Sequence, residues 1–230
     1  MKKLIATCLL ATMSIGLLSS CKKIEETQAS SFGAATVETT TSETTVATVE
    51  TQPEIVTDVT KYINATYNNF PRFDEVNEDI FTRIKESVQN EDCSWQIYSD
   101  NSAVSFDFNS DIDSETPMLN KIMYTAYELD VTDENNPIFK TLKNGESLAV
   151  GTIFIYAGKD KEKAMEFYKT ACACVTNIYN KEATTEEKDT YISYTLNDDN
   201  GNSVAIVTLE YPNENIKIYT LTISLKKAVQ

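Results

Sequence analysis

The stretch 148-LAVGTIFIYAGKDKEKAMEFYKTACACVTNIY-179 carries the reading of the fold. Leu148 to Ala157 is an almost unbroken apolar run, the pattern of a strand covered on both faces. Asp160 then caps a helix in which Ala164, Phe167, Tyr168, Ala171, Val175, Ile178 and Tyr179 recur on one stripe. So long a stripe needs a flat partner. Three segments rich in Ile, Val, Thr and Tyr supply it: Tyr191 to Leu196, Val204 to Tyr211 and Ile216 to Leu225. Asp199-Asn200-Gly201-Asn202 turns the first into the second, and Pro212-Asn213 the second into the third. The expected unit is a β-α-β-β-β meander.

Working outward toward the N-terminus, Val76 and Phe81 flank Asn77 as a hydrophobic staple, so a helix is expected to about Gln89 with Ile80, Ile84 and Val88 inward. A short hairpin follows, Trp95 to Tyr98 turning at Asp100-Asn101 into Ala103 to Phe108. Thr116-Pro117 has the form of an N-cap followed by proline at N1, and Leu119, Ile122, Met123 and Ala126 continue at helical spacing. A second helix is expected there, although Tyr124 to Val131 also suits an extended segment. The fold class is α+β: a mostly antiparallel sheet with helices packed on one face. Two similar halves are compatible with the order of elements, each a helix leading into a hairpin. No Rossmann or P-loop glycine pattern stands at a strand-helix junction.

Composition narrows the chemistry. The chain has 230 residues, 20 Lys+Arg against 35 Asp+Glu, a net charge of -15 and no His. The acidity argues against nucleic acid. Absence of His removes Ser-His-Asp triads, HExxH metal sites and Cys-His nucleophiles. Nothing calls for a cofactor.

The N-terminus decides destination. Lys2 and Lys3 precede the apolar stretch Leu4 to Leu17, which is short for a bilayer span and suits an export signal. It ends in Leu18-Ser19-Ser20-Cys21, which resembles the lipobox of bacterial lipoproteins. The resemblance implies a diacylglyceryl thioether on Cys21, cleavage before it, and a membrane-anchored protein on the extracytoplasmic face. Two acyl chains anchor stably where one would bind marginally. Residues 1–20 are then the signal peptide and 21–58 the lipidated Cys with a tether. Thr, Ser and Glu dominate this tether without an apolar face, as in Thr36-Val37-Glu38-Thr39 and Thr48-Val49-Glu50-Thr51. Random-coil scaling gives it a reach of roughly 35 Å. Residues 59–230 read as one globular domain.

Within that domain, Cys93, Cys172 and Cys174 are an odd set for an exported chain. On a helix, Cys172 and Cys174 stand about 200° apart and do not pair with each other. They suit small, half-buried structural residues better than one disulfide to Cys93 or a redox or metal role. Asp107, Asn109, Asp111, Asp113 and Glu115 alternate, and an extended segment would line them up as weak Ca²⁺ ligands. The EF-hand pattern fails, with Ile112 where Gly is needed and Met118 where Glu is needed. A solvated acidic loop is the better reading, as for Asp130, Asp133 and Glu134. Tyr62 and Tyr67, with Phe70 and Phe73, crowd one segment, and Trp95 and Tyr98 open the hairpin. They are candidates for an aromatic platform binding glycan or peptide, against the plainer reading as the end of a core. The function expected is a non-catalytic binding or assembly module held at the membrane, with an envelope protein or glycan as partner. The alternative is a carboxylate-based hydrolase of wall or environmental glycans, since such chemistry needs no His.

Overall fold

The computed structural model describes residues 54–72, 78–88, 93–97, 103–127 and 146–229. Cys21, most of the tether, Phe73, Val76, Tyr98, the Asp100-Asn101 turn and the Asp130 to Glu134 loop lie outside the described residues. Two helices open the described chain, α1 (Val59–Asn68) and α2 (Glu78–Val88). Strands β1 (Ser94–Ile97), β2 (Ala103–Asp107), β3 (Met118–Tyr127) and β4 (Ser147–Gly158) follow. After α3 (Lys161–Tyr179) come β5 (Ala183–Glu187), β6 (Tyr191–Asn197), β7 (Ser203–Glu210) and β8 (Tyr219–Val229). The strands form one eight-stranded sheet in the order β1-β2-β3-β4-β8-β7-β6-β5, antiparallel throughout. No described helix is long and apolar enough to cross a membrane.

The stretch that opened the reading forms the strand and helix expected of it. Asp160 accepts hydrogen bonds from the N–H groups of Glu162 (2.9 Å) and Lys163 (3.2 Å), satisfying two donors that the first helical turn leaves unpaired. Ala164, Phe167, Tyr168, Ala171 and Val175 are buried, and Asn180 ends the helix with φ 49°. The chain then goes to the far edge of the sheet as β5, a strand not anticipated, and meanders back until β8 pairs with β4. The β6–β7 turn is built as its residues require: Asp198 Oδ1 accepts from Asn200 N and Asn202 N, and Gly201 takes φ 82°.

Two expectations are corrected. Met118 to Tyr127 is a strand, not a helix opened by Thr116-Pro117. A register shift between Leu119 and Lys121 explains the helical look. The extra residue moves the buried set from Leu119 to Ile122, Tyr124 and Ala126, so an alternating pattern acquires one gap of three that mimics helical spacing. Second, the segment around Tyr62 and Tyr67, read as preceding the first helix, is itself helix α1, capped by Asp58, whose side chain accepts from Thr60 N at 2.9 Å. Residues just ahead of α1 also pair with the chain near β3. Glu54 O accepts from Leu119 N, Val56 N donates to Pro117 O, and Ile55 makes an antiparallel bridge with Met118.

One row of residues shows where the core lies. Across the sheet, direct cross-strand partners run Trp95, Phe106, Ile122, Ile153, Ile223, Val207, Tyr194 and Thr185. The five from Phe106 to Val207 are fully buried, each contributing about 1.5–3 kcal/mol of apolar transfer. α1 and α3 pack on this face. Tyr124, beside the row, donates its hydroxyl to Thr66 O of α1 at 3.2 Å, and Tyr194 shares a 2.8 Å hydrogen bond with Thr176 of α3. α2 joins α1 through Asn69, whose Nδ2 donates to Ala65 O and to Ser87 Oγ.

Candidate binding surface

The opposite face of the sheet has another composition. Its central row runs Gln96, Ser105, Met123, Thr152, Ser224, Ile206, Thr195 and Thr184, again direct partners across all eight strands. None carries a charge, in a chain that is 24% charged. The next row holds Asp107, Lys121, Phe154, Thr222, Thr208, Ser193 and Glu186. Asp107 pairs with Lys121 and Glu186 with Lys188, each at 2.9 Å, and Ser105 Oγ also donates to Asp107 at 2.9 Å. Beyond lie Tyr156, Thr220 and Glu210, the last accepting from Thr220 Oγ1 at 3.0 Å. Burial raises the pKa of the Tyr156 hydroxyl, against the opposing effect of Lys121.

Along β4 the division is clean: Ala149, Gly151, Ile153, Ile155 and Ala157 are buried, while Val150, Thr152, Phe154 and Tyr156 are only partly so. The expectation of a strand covered on both faces therefore holds for one face only. The signal was in the run itself, since its even positions carry the hydroxyls and both aromatic rings while its odd positions from Ala149 are small or aliphatic. Sequence reasoning missed Met123, Phe154 and Tyr156 as surface candidates for this reason, and because β3 read as a helix.

The aromatic residues singled out from sequence do not form one platform. Tyr62 is 1% exposed and donates to Glu54 Oε1 at 2.7 Å, which leaves no ring face for a ligand. Tyr67 packs edge-on to Phe70 and Tyr179, with Lys227 Nζ 4.5 Å from its ring centre. Trp95 stands on edge strand β1, 37% exposed. Tyr98 is outside the described residues.

The acidic alternation is likewise dispersed. Asp107 is taken by Lys121, Asp111 Oδ1 accepts from Asp113 N, and Glu115 lies 3.7 Å from Lys159. The segment turns instead of extending, so Asn109, Asp111 and Asp113 do not line one side. Among the described residues no three Cys, Asp or Glu side chains are placed to hold a metal ion. Cys93, Cys172 and Cys174 are free thiols. Burial pushes the Cys172 thiol up to about 11, and burial followed by Asp58 raises that of Cys174.

Two cavities add little chemistry. A groove of about 440 Å³ between α1 and α3 is lined by Thr60, Asn64, Ala173, Cys174, Asn177 and Ile178, with no carboxylate. A polar hollow of about 510 Å³ lies where the end of α3 meets the β6–β7 turn. There Asp199 is held by Lys181 at 2.6 Å and Asp198 binds the N–H groups of its own turn. Glu182 also lines the second cavity, so its carboxylates are Glu182, Asp198 and Asp199. No protein family, curated protein or solved structure matches this chain.

Proposed function

We propose that this is a membrane-anchored extracytoplasmic lipoprotein whose domain is a non-catalytic protein-docking module, and that it docks through the sheet face opposite the helices. The observation that carries the reading is the uncharged row from Gln96 to Thr184 on a chain of net charge -15. Charge depletion at the centre with charged groups toward the rim is the anatomy of a protein interface. Eight strands at about 4.8 Å, each about seven residues long, give a sheet of roughly 900 Å², of which the position of Ser105 is already buried. About 800 Å² per partner is the standard protein interface. A small molecule would call for a concave pocket with convergent polar groups instead. The lipobox at Cys21 supports placement on the outer face of the membrane.

The same reading includes the finer architecture. All three helices cover one face, and the domain is a tandem of two units, α1 and α2 followed by β1–β4 and α3 followed by β5–β8, with β4 and β8 meeting at the centre. Exchanging Ile153 with Ile223 along the buried row sets Ile122 on Val207, Phe106 on Tyr194 and Trp95 on Thr185. The first two pairs match in kind, which supports an approximate two-fold axis through the centre of the sheet.

Crosslinking on intact cells tests the function. A recurrent protein adduct is expected with the anchored chain and should be lost in a Cys21→Ala control that leaves the surface. Recovery of wall glycan in place of protein would refute the docking reading.

A further inference from the structure

We infer that the protein docked on the sheet face is a second copy of this chain, the two faces stacking about a two-fold axis so that Lys226 of each copy meets Glu210 of the other. This rests on the docking reading. Charge on the face carries the inference. Among the described residues, Asp107 and Lys121 neutralise each other there, Glu186 is held by Lys188, and Lys226 and Glu210 are left without an ion-pair partner. Lys226 Nζ donates to Ser203 Oγ at 2.8 Å, and Glu210 Oε2 accepts from Thr220 Oγ1 at 3.0 Å. Ser203 is turned to this face by the bulge that pairs it with Asn197. Burial holds the Lys226 ammonium below the usual lysine range. A half-buried cation with no carboxylate beside it is completed by one brought from outside.

The placement of the two charges makes the face self-complementary. Lys226 and Thr220 stand at equal distances on either side of Ile223 on β8, about 20 Å apart along the strand, and the Glu210 carboxylate leans onto Thr220. A two-fold axis lying between two stacked faces and crossing the strands at Ile223 turns one end of the face onto the other. It sets Lys226 of each copy over Thr220 and Glu210 of its mate. On β4, where Ile153 is the partner of Ile223, the same axis sets Phe154 against Thr152 and Tyr156 against Val150. Aligned sheets pack about 10 Å apart with their strands about 30° off parallel, so the central strands β4 and β8 make the closest contact. Phe154 and Tyr156 stand there, of the residue types enriched at interface cores.

An unrelated protein would have to supply both charges at this spacing, whereas a second copy supplies them by symmetry. The like net charges of -15 lie off these rows, and beyond a Debye length of about 8 Å they are largely screened. Two faces of this size reach the area of a standard interface. Lipid anchors on one membrane hold the copies in one thin layer, which raises their effective concentration and lowers the affinity that pairing needs.

The experiment uses the full lipidated chain in cells, with a photoreactive benzoyl-phenylalanine replacing Ser224 and a differently tagged copy co-expressed. The expected result is an adduct joining the two tags, at least tenfold weaker when the photoreactive residue replaces Asn177 on α3 instead. Lys226→Glu sets like charges together across the axis and should lose at least tenfold of the adduct. Adding Glu210→Lys to the same chain restores opposite charges and should restore the adduct, which a mere loss of folding would not allow. Loss without recovery, or an adduct indifferent to both changes, would overturn the pairing of Lys226 with Glu210. An adduct from position 224 to a different protein would overturn the second copy as partner while leaving docking by the sheet in place. A glycan adduct from that position, or none at all, would remove the docking reading itself.

Discussion

Replacing Gly151 by Ala tests how closely α1 sits on the centre of the sheet. Gly151 lies on β4 between Tyr124 of β3 and Leu225 of β8, on the face that meets the helices. A methyl group built there would stand 2.5 Å from Thr66 Cγ2 and 3.2 Å from Phe70 Cε1. Ordinary carbon contacts are about 3.5–4.0 Å, so α1 must retreat by about 1 Å or rotate Thr66. Overpacking of this kind costs about 1–3 kcal/mol, offset in part by about 0.4–1 kcal/mol because Ala has less unfolded-state freedom than Gly. The net loss is about 1–2 kcal/mol, a fall in Tm of roughly 2–8 °C for a domain of this size. Urea denaturation of Gly151→Ala, Thr66→Ser and the double variant measures it as a cycle. Thr66→Ser removes the clashing methyl, so in that background Gly151→Ala should cost less than about 0.5 kcal/mol. Retreat of α1 would also stretch the Tyr124 hydroxyl away from Thr66 O, which gives an independent ultraviolet signal. Strictly additive effects, or a Gly151→Ala chain as stable as its parent, would refute the close approach.

Asp160→Ala removes a cap with two backbone donors on it and should lower stability by about 0.5–2 kcal/mol, with Asp160→Asn close to the parent; equal losses would point to charge and not to capping. The Cys172 thiol has its pKa pushed up to about 11 from 9.0 by burial, so the folded state favours the protonated thiol. Its contribution is constant below pH 9 and is lost as pH rises from 9 toward 11. Burial raises the Tyr124 and Tyr179 hydroxyls as well and acts in the same direction, so a denaturation midpoint falling steadily above pH 9 is expected. Cys172→Ala should flatten the first part of that fall, and an unchanged slope would contradict the assignment. Native Cys172 should react with iodoacetamide at pH 8 at least a hundredfold more slowly than in urea, which mass spectrometry of the labelled peptide reads directly. Addition of Ca²⁺ or of chelator should leave the melting temperature unchanged, given that Asp107 is held by Lys121; a shift of several degrees would restore the acidic loop as a metal site.

Local signals made α3, α2 and the β6–β7 hairpin legible, because a cap, a stripe and a turn residue each act within a few residues of themselves. The same local reading mistook β3 for a helix, since a single bulge near Asn120 shifts the alternation and only its partners on β4 reveal it. Helix α1 was overlooked although Asp58 caps it and Val59, Tyr62, Ile63 and Thr66 stand buried at helical spacing, because its tyrosines were weighed as a platform and not as one face of a helix. The candidate surface was hidden more deeply. Nothing in Met123, Phe154 or Tyr156 alone distinguishes a core residue from a surface one.

By itself the sequence determined the class of chain: acidic, without His chemistry, bearing a lipobox-like terminus and a Thr-rich stretch ahead of an α+β domain. These follow from composition and short-range pattern, which need no knowledge of neighbours. Tertiary structure alone decided that β8 returns to β4, and with it that two four-stranded meanders share one sheet. Strand order and register are settled by pairs as distant in sequence as Ser147 and Val229, through burial of one face against the helices. Which side of a strand becomes a surface is fixed only when that burial is complete.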